Sequence, residues 1–146
     1  MSGILFDTSV YISDLRRGNA SLFALRRAAR KEGEPTRPLW LSVVVLEELH
    51  AGAQDRRLKK LLARLENDFE KVKRVLVPLR SDWTACGQVL AQVGAKYGYE
   101  EVGRACLTND TLIAMTAARH GFTVLTKNAA DFQRIAEFRP FQWEEV

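Results

Sequence analysis

Four carboxylates sit where a chain of alternating strands and helices would gather them. Asp7 stands directly behind the apolar "GILF", Glu48 lies inside "VVVLEELHAGA", Asp110 heads "NDTLIAMTAARHG", and Asp131 follows "FTVLT" and "KNAA". Held together, such groups repel and raise one another's proton affinity unless a cation neutralises them. Their hard oxygen donors suit Mg2+ or Mn2+, which keep several waters and present them to substrate phosphates. Helical spacing separates Glu48 from its neighbour. Glu48 lies three residues after Val45 and four before Gly52, on the inward stripe with Leu49, whereas Glu47 shares a side with Val44 and Ala51. Each acid also has an innocent reading. Asp7, Asp110 and Asp131 can act as helix N-caps, each contributing ~1 kcal/mol, and Glu48 can pair with an arginine such as Arg104.

The elements that must position these groups follow from periodicity. "GILF" is a short strand buried on both faces, "SVYISDLRR" a short helix, and residues from about Ala20 to Lys31 a second helix. "GEPTRP" breaks the pattern, "LWLS" returns to strand, and "VVVLEELHAGA" is a helix stopping at Gly52. A basic helix spans about Asp55 to Lys73, "VLVPL" is a third strand, and Ser81 with Asp82 opens a helix running to Tyr97. A loop holds Gly98 and Gly103. The helix headed by Asn109 and Asp110 ends at Gly121, "FTVLT" is a fourth strand, "NAADFQRIAEF" a short helix, and "FQW" a last edge strand. Strands of four or five apolar residues alternating with longer helices predict an α/β domain, a short, mostly parallel sheet of four or five strands between helical layers. In such sheets function gathers at the carboxyl ends of the strands. All four acids follow, or lie in helices that neighbour, those ends.

Bulk properties bound the reading. With 146 residues and 47% apolar content the chain is expected to form one domain, 1–146, with a real core. No run approaches the ~20 apolar residues of a membrane span, and no basic-then-apolar leader opens the chain, so a soluble cytoplasmic protein is expected. Cys86 and Cys106 lack the spacing of a zinc site or a disulfide framework and are taken as reduced. The net charge is +4, and "DRRLKKLLARLENDFEKVKR" holds eight of the basic residues; that face can attract a phosphate backbone or simply be solvated. His50 and His120 are expected as helix-end polar groups, and Trp40, Trp83 and Trp143 as core or edge packing.

Taken in order, "LFDTSVYI", "LSVVVLEELHAG" and "NDTLIAMTAARHGFTVLTKNAADF" resemble the PIN domain family, in particular the nuclease toxins of VapBC-type toxin–antitoxin pairs. The likeness runs from the first strand to Phe132. It implies a PIN-like three-layer α/β/α sandwich and an Mg2+- or Mn2+-dependent endoribonuclease. It makes Asp7, Glu48, Asp110 and Asp131 the acidic metal-binding quartet, with Asp7 and Asp110 on the principal ion. Thr126 and Asn128 match polar positions bordering the family's pocket, Thr8 and Ser9 flank its first acid, and Arg104 falls in a loosely matching stretch as a substrate contact. Glu47 departs from the family, where a small residue is usual. The likeness further implies an RNA substrate, a cognate antitoxin protein and a homodimer.

Two other classes fit part of the pattern. A phosphatase with an aspartyl nucleophile also carries its first acid after strand one, but needs a second aspartate two residues on, where this chain has Ser9. A non-catalytic module would use the acids as caps and the basic helix to dock nucleic acid or protein.

Overall fold

The computed structural model describes residues 2–16, 37–104 and 107–146, apart from the side chains of Arg16, Glu101 and Arg104. The helix expected over Ala20–Lys31, Cys106 and the side chain of Arg104 lie outside the described residues.

The most apolar short runs form the middle of the sheet. Strand β1 (Ile4–Phe6) is buried throughout and pairs in parallel with β2 (Leu39–Ser42) on one side and β4 (Thr123–Thr126) on the other. Strand β3 (Val75–Leu76) pairs beyond β2 and β5 (Gln142–Glu145) beyond β4, giving the order β3-β2-β1-β4-β5 with every pairing parallel. A parallel sheet of this kind requires helices on both faces, and its central strands lack polar alternation for that reason. The mostly parallel sheet read from the sequence is therefore present, and wholly parallel among the described strands.

The helices are α1 (Thr8–Arg16), α2 (Val43–Gly52), α3 (Arg56–Lys71), α4 (Arg80–Tyr97), α5 (Tyr99–Arg104), α6 (Leu107–His120) and α7 (Ala129–Phe138). Polar side chains cap two of these helix starts. Ser42 Oγ accepts the Val44 amide at 3.1 Å to cap α2, and Asp55 Oδ1 accepts the Leu58 amide at 2.7 Å to cap α3. Gly121 ends α6 at φ 70°, a left-handed turn that only glycine takes without strain. Among the described residues helix α6 is the most buried helix, with Leu107 and everything from Thr111 to Ala117 inside, because it lies between the sheet and α4. Among the described residues no helix is long and apolar enough to cross a membrane.

Several boundaries differ from the sequence expectation. The stretch read as a loop with Gly98 and Gly103 contains α5, with Gly98 alone at positive φ. Helix α4 starts at Arg80, and Asp82 sits in its first turn, accepting the Leu79 amide at 2.8 Å. "VLVPL" is a strand only at Val75 and Leu76; beyond it Val77 and Leu79 are exposed, since Pro78 offers no amide to extend the ladder. Trp40 packs as expected, against Phe122 with ring centroids 5.1 Å apart, and so closely over Gly3 that a Cβ there would come within 2.6 Å of the indole. Trp143 packs against the core, but Trp83 is 56% exposed, because its position on α4 turns away from α6.

One ion pair joins the base of the helical layer. Asp82, 3% exposed, receives Arg119 Nε at 2.9 and 3.0 Å and Arg119 Nη2 at 2.9 Å, tying the first turn of α4 to the last turn of α6. Removing the guanidinium leaves a buried carboxylate with only an amide partner. Arg119→Ala is expected to lower unfolding free energy by about 2 kcal/mol, reduced from the fully buried case because Arg119 is partly solvated. A urea titration checks it, and Arg119→Lys should recover part of the loss.

Candidate functional site

Because β1 and β4 are adjacent and parallel, their carboxyl ends lie side by side, and the residues just beyond them must share space. The Asp7 amide continues the ladder by donating to Leu125 O at 3.0 Å, which directs the side chain over the end of the sheet. Asp7 is only 2% exposed. Its carboxylate takes three short-range donors: Ser9 Oγ at 2.5 Å on Oδ1, Thr126 Oγ1 at 2.6 Å on Oδ2, and the Val10 amide at 3.4 Å on Oδ1. Burial raises its proton affinity, and the hydroxyls of Ser9 and Thr126 pull it back down. The cap and the pocket readings of Asp7 thus coexist: the long contact to Val10 is the cap, and the stronger bonds aim the carboxylate.

Those hydroxyls are themselves held. Thr126 Oγ1 accepts the Asn128 amide at 2.8 Å, and Ser9 Oγ accepts the Lys127 amide at 3.0 Å. Asn128 Nδ2 donates to Asp131 Oδ2 at 2.6 Å, so a continuous set of bonds runs from Asp7 through Thr126 and Asn128 to Asp131, in the first turn of α7. Ser9 occupies the place where an aspartyl phosphatase would carry its second acid, and it serves as a donor to the first.

Helix α2 leaves β2 with no intervening residue, which brings Glu48 to the same end of the sheet. Glu48 is half-buried and Glu47 exposed, as the helical spacing predicts. Thr8 Oγ1 donates to Glu48 Oε1 at 2.9 Å, while Glu47 turns outward to accept Asn109 Nδ2 at 3.2 Å. Burial raises the proton affinity of Glu48, the Thr8 bond opposes this, and the charges of Glu47 and Asp7 add to the rise.

Asp110 differs from the other three. Helix α6 begins at Leu107, so Asp110 lies within its first turn rather than at its head, and the capping role open in the sequence is not what the side chain does. Among the described residues its carboxylate accepts no hydrogen bond. Burial, followed by the charges of Asp7, Glu48 and Asp131, pushes its pKa up to about 8. All four acids therefore occupy one electrostatic neighbourhood. They are not drawn into a closed chelate: among the described residues no three His, Cys, Asp or Glu side chains are gathered tightly enough to hold an ion. Hydroxyls and an amide hold three of these four in their places. The donor chemistry still fits a hard divalent cation, which would supply the positive charge that Asp110 lacks.

The hydroxyls of Thr8, Ser9 and Thr126, polar positions at this end of the sheet, donate to Glu48 and Asp7. Asn109, which donates to Glu47 and also lowers the proton affinity of Glu48, carries no signal in the sequence beyond its place beside Asp110.

The raised pKa of Asp110 has a thermodynamic consequence. An acid that binds its proton more tightly folded than unfolded makes the folded state less favourable as pH rises between the two pKa values, here from about 4 to about 8. Without divalent metal, Asp110→Asn should raise the melting temperature, with a clearly larger gain at pH 8 than at pH 5, measured by scanning calorimetry in chelator.

The fold and the acids can be set beside known proteins. The PIN domain family model matches residues 4–138. No curated protein matches the sequence. Among solved structures the chain is similar to one in the DNA-bound VapBC from Salmonella typhimurium, at 24% identity over 99% of this chain and 98% of that one, with TM-score 0.69. It is also similar to a chain of VapBC-1 from nontypeable Haemophilus influenzae (24% identity, 97% and 96% covered, TM-score 0.62) and of FitAB bound to an IR36 DNA fragment (18%, 97% and 94%, TM-score 0.65). At these identities the structural likeness speaks for the fold, while the family match, which takes in every strand except β5 and all four acids, speaks for descent: the chain belongs to the PIN domain family.

Proposed function

We propose that the protein is a divalent-metal-dependent endoribonuclease, acting as one domain, and the toxin of a VapBC-type toxin–antitoxin pair. The observation that carries the catalytic part is Asp110: a carboxylate without a hydrogen-bond partner among the described residues, pushed up to about 8 by burial and by three other acids. PIN nucleases use divalent metal ions, and Mg2+ or Mn2+ suits this all-oxygen donor set. In this reading Asp7 and Asp110 hold the principal ion, and Glu48 and Asp131 complete the shell directly or through water. A cation held there supplies a more acidic water and charge neutralisation at a phosphodiester.

The chain's own residues set the rest. Ser9 and Thr126 fix both oxygens of Asp7 and so limit it to one orientation, the arrangement by which outer partners of a metal ligand tune its site. Thr8 does the same for one oxygen of Glu48. Glu48, whose proton affinity burial raises, is a candidate to take a proton from an attacking water. Asn128 orients Asp131, and Arg104, in α5 just before α6, is the proposed contact to the scissile phosphate. The toxin reading rests on the family and on neighbours that are VapBC complexes; it brings with it a cognate antitoxin, a homodimer and a cytoplasmic setting.

Incubating the purified protein with total cellular RNA, with and without Mg2+, and mapping the cut ends tests the activity. Asp7→Asn is expected to abolish Mg2+-dependent cleavage with an unchanged circular dichroism spectrum. Wild-type cleavage in that variant would end this mechanism. The non-catalytic alternative is separated by Mn2+ titration: a nuclease site binds Mn2+ and loses it in Asp110→Asn, whereas a binding module shows no saturable Mn2+ uptake in either protein.

A further inference from the structure

Helix α3 buries a narrow stripe. Leu62 and Phe69 are inside, Leu58 and Leu65 pack partly against the core, and all four lie within one side of the helix at about 100° per residue. The opposite side reads Arg56, Lys60, Arg64, Asn67 and Lys71, all exposed, with Arg57 beside them. This ridge spans an arc of about 100° and contains no acid and no apolar side chain. The acids of the same helix, Glu66, Asp68 and Glu70, fall on its flanks, and Glu66 faces α2 with an oxygen 4.0 Å from His50 Nε2. Among the described residues none of Arg56, Lys60, Arg64 and Lys71 forms an ion pair, although three acids share their helix. The mixed charge run of the sequence is thus sorted by helical geometry into one purely cationic edge.

Accepting the nuclease reading, we infer that this ridge is an anchoring site for the phosphate backbone of the RNA substrate, outside the catalytic pocket and on the outer side of the α2–α3 pair that carries Glu48. Arg56, Lys60 and Arg64 rise in steps of about 6 Å along the helix, a spacing that lets successive cations meet neighbouring phosphates of a strand laid along it. A polyanion needs nothing more. Protein interfaces bury their arginine anchors in a desolvated apolar core, and the ridge offers no apolar side chain to build one. Contacts of this type position a strand without reading its bases, so the anchor favours longer RNA over short fragments and leaves cut-site choice to the pocket.

The test uses the full chain and a fluorescent mixed-sequence 20-nucleotide RNA, titrated in chelator at several salt concentrations. In Lys60→Ala/Arg64→Ala the affinity should fall roughly tenfold and the slope of log K against log salt should shrink by about 1.4, two contacts at ~0.7 each. Asp68→Asn, which removes a flanking acid, should tighten binding. With Mg2+ present the double variant should show the same loss as a raised KM. An unchanged affinity and slope in the double variant overturns the anchor, as does a wild-type protein that fails to bind the RNA; a ridge serving an acidic protein surface would give that unchanged result. The two readings fail separately. Cleavage retained in Asp7→Asn removes the catalytic site, while the anchor stands or falls on the salt slope alone.

Discussion

The bond from Thr126 Oγ1 to Asp7 Oδ2, 2.6 Å long and fully buried, is the contact that organises the acidic end of the sheet. A carboxylate at the end of a central strand has lost almost all its water, and only charge-assisted hydrogen bonds offset that loss. Thr126 can reach it because β1 and β4 are parallel neighbours ending level with one another. The same threonine accepts the amide that starts the turn into α7, so orienting Asp7 and placing Asp131 are a single structural requirement. Glu48 is supported independently, by Thr8 from the residue just after Asp7. The first acid is therefore flanked by hydroxyls that serve two of the four carboxylates, Asp7 itself and Glu48, while an amide serves Asp131.

Asp110 shows what that support leaves undone. The other three acids have hydroxyl or amide donors, and the fourth has an unfavourable potential with no compensating donor among the described residues. A fold arranged only for stability would place a neutral side chain there, since an unpaired carboxylate in a half-buried place works against folding. Local discord of this kind is characteristic of positions kept for chemistry rather than for packing. The stabilising contacts are elsewhere, in the buried side of α6 and in the Asp82–Arg119 pair, the latter at the other end of that helix from Asp110.

Much of this was legible before any coordinates. The central strands were readable because a parallel sheet covered on both faces forces unbroken apolar runs, and Glu48 could be told from Glu47 because a helix turns 100° per residue whatever packs on it. Helix starts were less legible. The α6 boundary moved three residues upstream because Leu107 is drawn into the core, a tertiary effect that no local capping signal in "TND" announces. The exposure of Trp83 was missed because an indole on a helix is usually buried, and only the crossing of α4 over α6 decides which side faces out. The orienting role of Ser9 and Thr126 required knowing that β1 and β4 are neighbours, which depends on strand order and not on any single stretch of sequence. Sorting of the basic run into a ridge was latent in the spacing and became visible once the buried stripe of α3 was known.

The strand order has a consequence in time as well as in space. The two groups of the Thr126–Asp7 bond are 119 positions apart in the chain. The fold has no hairpin among its described strands, so its central pairing cannot be built early from local contacts and waits for closure of a long loop. Asp7 is made long before Thr126, and until β4 has been made and docked it lacks the threonine that holds it, while Asp131, beyond β4, does not yet exist. The buried setting of Asp7 is thus a late product of folding, complete only once β4 has docked beside β1.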